Sequence, residues 1–136
     1  MGGAGPRRTP RLAARYAAEW NLPFCALSMF VELRAVVLAA CEAIDGDPAT
    51  MVTSVAQVVC CGSDDAEIAR RAAVIGREVD EFRENGLCGT PAEIAGKLAT
   101  FHDAGATRCS LQFLDVDDLD HLALVAAEVM NETARW

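Results

Sequence analysis

MVTSVAQVVCCGSDDAEIARRAAVI, residues 51–75, holds one complete passage from strand to helix. Residues 51–61 are nearly continuously apolar and rich in β-branched residues, chiefly Val, the composition of a strand buried on both faces of a parallel sheet. Gly62 interrupts that run. Ser63 is expected to cap the following helix, Asp64, Asp65 and Glu67 complement the dipole of its first turn, and Ile68, Ala72 and Ile75 recur on one buried face. A strand that turns directly into an amphipathic helix is the repeating unit of parallel α/β folds.

The same alternation extends in both directions. Upstream, Leu12, Tyr16 and Trp20 recur every four residues while Arg8, Arg11 and Arg15 fall elsewhere, which predicts an amphipathic helix over 10–20 opened by Thr9 and Pro10. WNLPF (20–24) is a short candidate strand. Ser28 is then expected to cap a helix whose core stripe is Phe30, Leu33, Val37, Cys41 and Ile44, ended by DGDP (45–48). Downstream, REVDEFRENG (77–86) predicts a short polar helix. GTPAEIAGKLATFHDAG (89–105) is the sharpest punctuation in the chain: Thr90 as N-cap, Pro91 at the first helical position, Glu93 closing a capping box, Ile94, Leu98 and Phe101 buried, and Gly105 as terminator. Residues 107–114 alternate Cys109, Leu111 and Phe113 against Arg108, Ser110 and Gln112, a strand with two unlike faces. DVDDLDHLALVAAEVM (115–130) predicts a last helix burying Leu122, Val125 and Val129.

At 136 residues, 52% hydrophobic and 24% charged, the chain has the size and composition of one ordinary domain with a core. We expect one partial-barrel domain over 1–136. No run approaches the length of a membrane span, and no apolar signal core follows the first arginines, so a soluble cytoplasmic protein is expected. A net charge of −8 argues against nucleic acid as partner. Four arginines against Glu19 leave +3 on residues 1–20, so residues 21–136 carry −11. Six cysteines lie mostly in apolar runs without C-x-x-C spacing, which points to buried thiols in a reducing compartment, and no zinc ligand set is spaced around His102 or His121.

Three strands for about five helices do not close a sheet of their own. A complete (β/α)8 barrel takes roughly 250 residues, so a chain of this length and pattern is expected to be part of one. GGAGPRRTPRLAARYAAEWNLPF, ACEAIDGDPATM, VAQVVCCG, GTPAEIAGKLATFHDAGATRCSLQF and DLDHLALVAAEVM, in this order and spacing, together resemble the C-terminal half of the luciferase-like monooxygenase family, most closely its subgroup that uses the deazaflavin coenzyme F-420. The resemblance extends from Gly2 to about Met130.

That resemblance implies an α/β fold, the C-terminal part of a (β/α)8 TIM barrel with parallel strands and flanking helices. It further implies an oxidoreductase that exchanges a hydride with coenzyme F-420, or uses FMN instead, at the C-terminal mouth of the strands. In the family a glycine-rich turn after a late strand receives the coenzyme phosphate. The matching residues here are Gly2, Gly3, Ala4, Gly5 and Pro6, followed by Arg7 and Arg8. Elementary chemistry agrees, because glycines admit an anion to backbone N–H groups and the next helix N-terminus adds partial positive charge. Set against the family, the strand before this turn and the residues drawn from earlier strands are expected to be missing from these 136 residues. No catalytic residue is therefore assigned, and the chain alone is expected to be inactive.

Expected partners are a small-molecule coenzyme and substrate. The alternative is a noncatalytic α/β fragment that self-associates or pairs with a separately encoded first half, covering open sheet edges. Of the other polar residues, Ser110 and Gln112 are expected to fill one strand face, His121 to be solvated in the first turns of the last helix, and His102 to lie near a helix C-terminus. Asp117, Asp118 and Asp120 are expected to compensate a helix dipole rather than bind metal. Cys60 and Cys61 are expected to be buried small residues at a strand end.

Overall fold

The computed structural model describes residues 1–134. They fall into two compact units, residues 1–56 with 101–110, and residues 57–100 with the chain from Leu111 onward. Strand and helix alternate through both.

In the first unit, helix α1 (Arg8–Tyr16) leads into strand β1 (Glu19–Pro23), helix α2 (Leu27–Glu42) and the start of strand β2 (Val52–Cys61). β1 runs parallel to β2, with Glu19 opposite Val52 and Pro23 opposite Ala56. The core is built from Ala13, Trp20, Leu22, Phe30, Leu33, Val37, Val55, Phe101 and Ala106. Trp20 stacks on Phe30 at 6.1 Å between ring centroids, and Phe30 meets the edge of Phe101 at 5.9 Å.

Trp20 marks a correction. The first helix stops at Tyr16, Ala17 is already extended (φ −108°, ψ 136°), and Trp20 is the first inward side chain of β1. Leu12 and Tyr16, the rest of the expected stripe, are exposed, Tyr16 by 74%. The helix instead buries Pro10 and Ala13. A small residue at the contact lets two backbones approach closely, so α1 packs on α2 without a large apolar face. Ser28 is likewise no cap: α2 starts at Leu27 after an extended Ala26, without a side-chain bond. Ile44 lies past the end of α2 and is exposed, leaving Phe30, Leu33, Val37 and Cys41 as the buried stripe.

In the second unit, β2 ends at Cys61 and helices α3 (Asp65–Ile75) and α4 (Val79–Asn85) follow, then strand β3 (Leu87–Gly89) and most of helix α5 (Pro91–Asp103). β3 pairs parallel with the end of β2, Val59 opposite Leu87 and Cys61 opposite Gly89. This strand was not expected, because three residues are too short to show a periodicity. The cap of α3 is Asp64 rather than Ser63: its carboxylate accepts the Glu67 N–H at 2.8 Å, while Ser63 N–H donates to the Glu67 side chain at 2.7 Å.

The capping box of α5 forms as expected, with Thr90 N–H donating to Glu93 Oε2 at 2.7 Å and Glu93 N–H to Thr90 Oγ1 at 3.4 Å. Ile94, Leu98 and Phe101 are buried. Gly105 follows with φ +95°, a left-handed conformation where a β-carbon would also strike the Arg34 guanidinium. Strand β4 (Arg108–Gln112) pairs with β2, and the chain ends in helix α6 (Leu119–Leu124), a π-helical turn (Val125–Val129) and helix α7 (Met130–Thr133). The buried positions of this last segment are His121, Val125 and Val129, with Leu122 outside. No helix among the described residues is long and apolar enough to cross a membrane.

Candidate functional site

The glycine-rich turn is anchored along β1. Gly2 forms a parallel bridge with Asn21; Asn21 N–H donates to Met1 O at 2.8 Å, and Gly3 N–H donates to Asn21 O at 3.2 Å. The Trp20 indole N–H reaches Gly3 O at 3.2 Å, tying the turn to the core from beneath. Gly3 has φ +138°. At Gly5 an added β-carbon would sit 2.8 Å from Thr9 Oγ1, so the Thr9 side chain would have to move to admit it. The backbone here is therefore shaped by glycine at two positions and held by hydrogen bonds on one side.

The other side is open. Ala4, Gly5, Pro6, Arg7 and Arg8 are exposed. α1 begins at Arg8, and the residue before it, Arg7, makes no side-chain cap bond; within this first turn Pro10 has no N–H to offer. Among the described residues, no ion pair involves Arg7, Arg8, Arg11 or Arg15. The geometry suits an anion: an uncapped helix start, a glycine approach and guanidinium groups without carboxylate partners. Of the expected site residues, the structure brings Gly2, Gly3 and Gly5 together with the start of α1 and places Arg7 and Arg8 at that start.

Below the turn, a polar chain closes the start of β1. Asn21 Nδ2 donates to Ser54 Oγ at 2.9 Å, Ser54 Oγ donates to Glu19 Oε1 at 2.6 Å, and Arg108 pairs with Glu19. Glu19 and Arg108 open β1 and β4, Ser54 lies near the start of β2, and Asn21 is at the middle of β1.

A second polar cluster, which sequence reasoning missed, surrounds the last residue of β2. Arg71, 1% exposed, donates from Nη1 to Cys61 O at 2.6 Å and from Nε to Asp118 Oδ2 at 2.8 Å, and its Nη2 lies 3.0 Å from Glu67 Oε1. Asp118 also caps α6 by accepting His121 N–H at 2.8 Å. His121 Nε2 accepts the Cys61 N–H at 2.9 Å, and its ring meets the edge of Phe113 at 4.9 Å.

The expected solvated histidine is thus buried, because Cys61 offers it a strand-end N–H and Phe113 a T-shaped ring contact. Asp118 does more than compensate a dipole: the Arg71 guanidinium holds its carboxyl well below the usual carboxylate range. Burial pushes the His121 imidazole down, so it stays neutral as an acceptor. With its polar groups committed to one another, the cluster is a structural clamp on the strand end. The available signal was Arg71 itself, a cation one turn after buried Ile68 and beside buried Ala72.

Ser110 and Gln112 are exposed on β4, and His102 is exposed near the end of α5. No disulfide forms among the described residues, and five of the six cysteines are buried, Cys60 and Cys61 among them as expected. No group of three or more His, Cys, Asp or Glu side chains there is placed to hold a metal.

Parallel strand pairing around β2 with flanking helices is the architecture of part of a TIM barrel, and this chain shares it with solved luciferase-like enzymes. An F420-dependent secondary alcohol dehydrogenase in complex with an F420-acetone adduct matches with a TM-score of 0.76 at 15% identity, over 95% of this chain and 47% of that one. The coenzyme F420 dependent tetrahydromethanopterin reductase from Methanopyrus kandleri matches with a TM-score of 0.74 at 14% identity, over 96% and 49%. The oxygenating constituent of 3,6-diketocamphane monooxygenase from the CAM plasmid of Pseudomonas putida, in complex with FMN, matches with a TM-score of 0.69 at 17% identity, over 96% and 47%. The chain spans about half the length of these proteins, and at such identity the likeness is one of fold. No family model and no curated protein matches the chain.

Proposed function

We propose that residues 1–136 form one partial luciferase-like barrel domain, the C-terminal half of an oxidoreductase that uses coenzyme F-420 or, as the alternative, FMN. Its part in that enzyme is to receive the coenzyme phosphate on Gly2, Gly3, Ala4 and Gly5, with Arg7 and Arg8 supplying charge. The observation that carries this reading is the glycine turn bridged to Asn21 and opening on an uncapped α1 beside unpaired arginines. When bound, the deazaflavin or flavin ring supplies the hydride chemistry. This chain's residues bind and orient its phosphate end: backbone N–H groups of the turn donate to phosphate oxygens, and Trp20 holds the turn's shape. Disulfide-free cysteines fit a cytoplasmic setting.

Titration of the full chain with F-420 and with FMN, followed by absorbance and fluorescence, tests the proposal. Saturable binding that weakens with salt is expected. Gly5→Ala and the double variant Arg7→Ala/Arg8→Ala should each raise Kd about tenfold, the equivalent of about 1.4 kcal/mol. Absence of saturation at high micromolar coenzyme overturns the proposal for this chain.

A second reading, self-association or pairing with a separately encoded first half, is favoured by one observation. Val116, Leu119, Leu122 and Met130 are all exposed in the second unit, Val116 by 76%. Size-exclusion chromatography with light scattering is expected to give a mass above the 14.5 kDa of one chain. A monodisperse monomer counts against it.

A further inference from the structure

The parallel register of β2 and β3 sets Cys60 and Cys88 opposite each other as Cα partners. Register partners on neighbouring strands project to the same face of a sheet, and both thiols sit in one buried cluster, where the Cys60 thiol donates to Ile68 O at 3.6 Å. Adjacent strands lie about 4.8 Å apart, inside the roughly 4.4–6.8 Å between Cα atoms that a disulfide spans. Cys61 has Gly89 as its partner across the same pair of strands, so it faces no thiol there.

The surroundings make the two sulfurs unequal. Both are buried in an apolar cluster with Ile68, Ala72 and Phe82. The interaction between the two thiols lowers Cys88 and raises Cys60, burial raises both, Arg83, Lys97 and Arg77 favour the Cys88 thiolate, and Arg71 favours that of Cys60. Lys97 is fixed in place by donating to Gly86 O at 2.9 Å and to Arg83 O. Above the pair lies α4, a helix of 7 residues with no side-chain N-cap bond, whose Phe82 is its one buried side chain. A short, uncapped helix is the segment whose local opening admits a small oxidant.

We propose that Cys60 and Cys88 are a peroxide-sensitive redox pair that closes to a disulfide joining β2 to β3. The Cys88 thiolate attacks one oxygen of hydrogen peroxide; the O–O bond breaks, hydroxide departs and takes a proton to become water, and Cys88 becomes a sulfenic acid. The Cys60 sulfur then attacks the Cys88 sulfur, the S–O bond breaks, and the second oxygen leaves as water with the Cys60 proton. Two thiols and one peroxide become one disulfide and two waters. The proposal is independent of coenzyme binding.

The reduced full chain, treated with graded hydrogen peroxide, then denatured, alkylated and digested with trypsin, tests it by mass spectrometry. The expected product links the peptide ending at Arg70, which carries Cys41, Cys60 and Cys61, to the peptide ending at Lys97, which carries Cys88. It should be two hydrogens lighter than the separate peptides, revert with dithiothreitol, and localise to Cys60 on fragmentation. Alkylation at Cys60 and Cys88 should be lost together, one for one. Cys61→Ser should leave the link intact, and Cys60→Ser should abolish it and let Cys88 proceed to sulfinic acid. Should Cys60→Ser not fold, fragmentation of the unsubstituted chain decides alone. Persistence of both reduced thiols after Cys109 has oxidised, or a link through Cys41, Cys61 or Cys25, overturns the proposal.

Discussion

Arg71→Met should destabilise the chain by about 3–5 kcal/mol, the usual consequence of removing one partner from a buried ion pair. The methionine fills similar volume, so the loss is electrostatic: Asp118 and Cys61 O both lose a donor while remaining inside. Thermal or urea unfolding followed by circular dichroism measures it. Asp118→Asn should cost clearly less in the Arg71→Met background than alone, because the pair is already broken. A loss below about 1 kcal/mol for Arg71→Met would remove the clamp from the account of β2.

The same cluster sets a pH dependence. Asp118 titrates lower in the folded state, so its contribution is complete above the ordinary carboxylate pKa of about 3.9 and disappears as pH falls below that value. His121 is also depressed, and its contribution is complete above about 6.5 and declines as pH falls below it. Unfolding midpoints should therefore fall in two stages on acidification. His121→Gln should flatten the first stage and Arg71→Met the second.

Trp20→Ala is the second large effect, expected at about 3–5 kcal/mol because the residue is 1% exposed and stacked on Phe30. Its functional consequence is separable. Trp20→Phe keeps an aromatic ring beside Phe30 while removing the indole N–H to Gly3 O and the volume of the second ring. It should cost about 1 kcal/mol in stability and speed amide exchange at Gly2 to Gly5. Unchanged exchange in Trp20→Phe would mean that the Asn21 bridge alone holds the turn.

The parts of the fold legible in sequence rest on short-range chemistry. The α5 capping box needs only Thr90, Pro91 and Glu93, and the buried stripe of α2 needs only apolar residues three and four apart. The β2 run was legible because ten residues rich in Val, bounded by Gly62, fit little else. Boundaries were less so: Asp64 took the cap from Ser63 because its carboxylate reaches the Glu67 N–H, and both residue types are good caps. For the candidate site, the glycines and arginines were visible, while their attachment was not. Asn21 bonds Gly3 from 18 positions away, and Trp20, shared in sequence between a helix end and a candidate strand, belongs to the strand alone.

Sequence alone determined the alternation of strand and helix, the main buried stripes and the character of the glycine turn, because periodicity and capping depend on neighbours within about four positions. Tertiary structure decided which polar groups go inside and what they meet. Arg71 reaches Asp118 across 47 positions, and Cys60 meets Cys88 through the register of two strands. Such pairings follow from strand register and helix packing. A charge or thiol that they bury is indistinguishable, in the chain, from one that they leave in water.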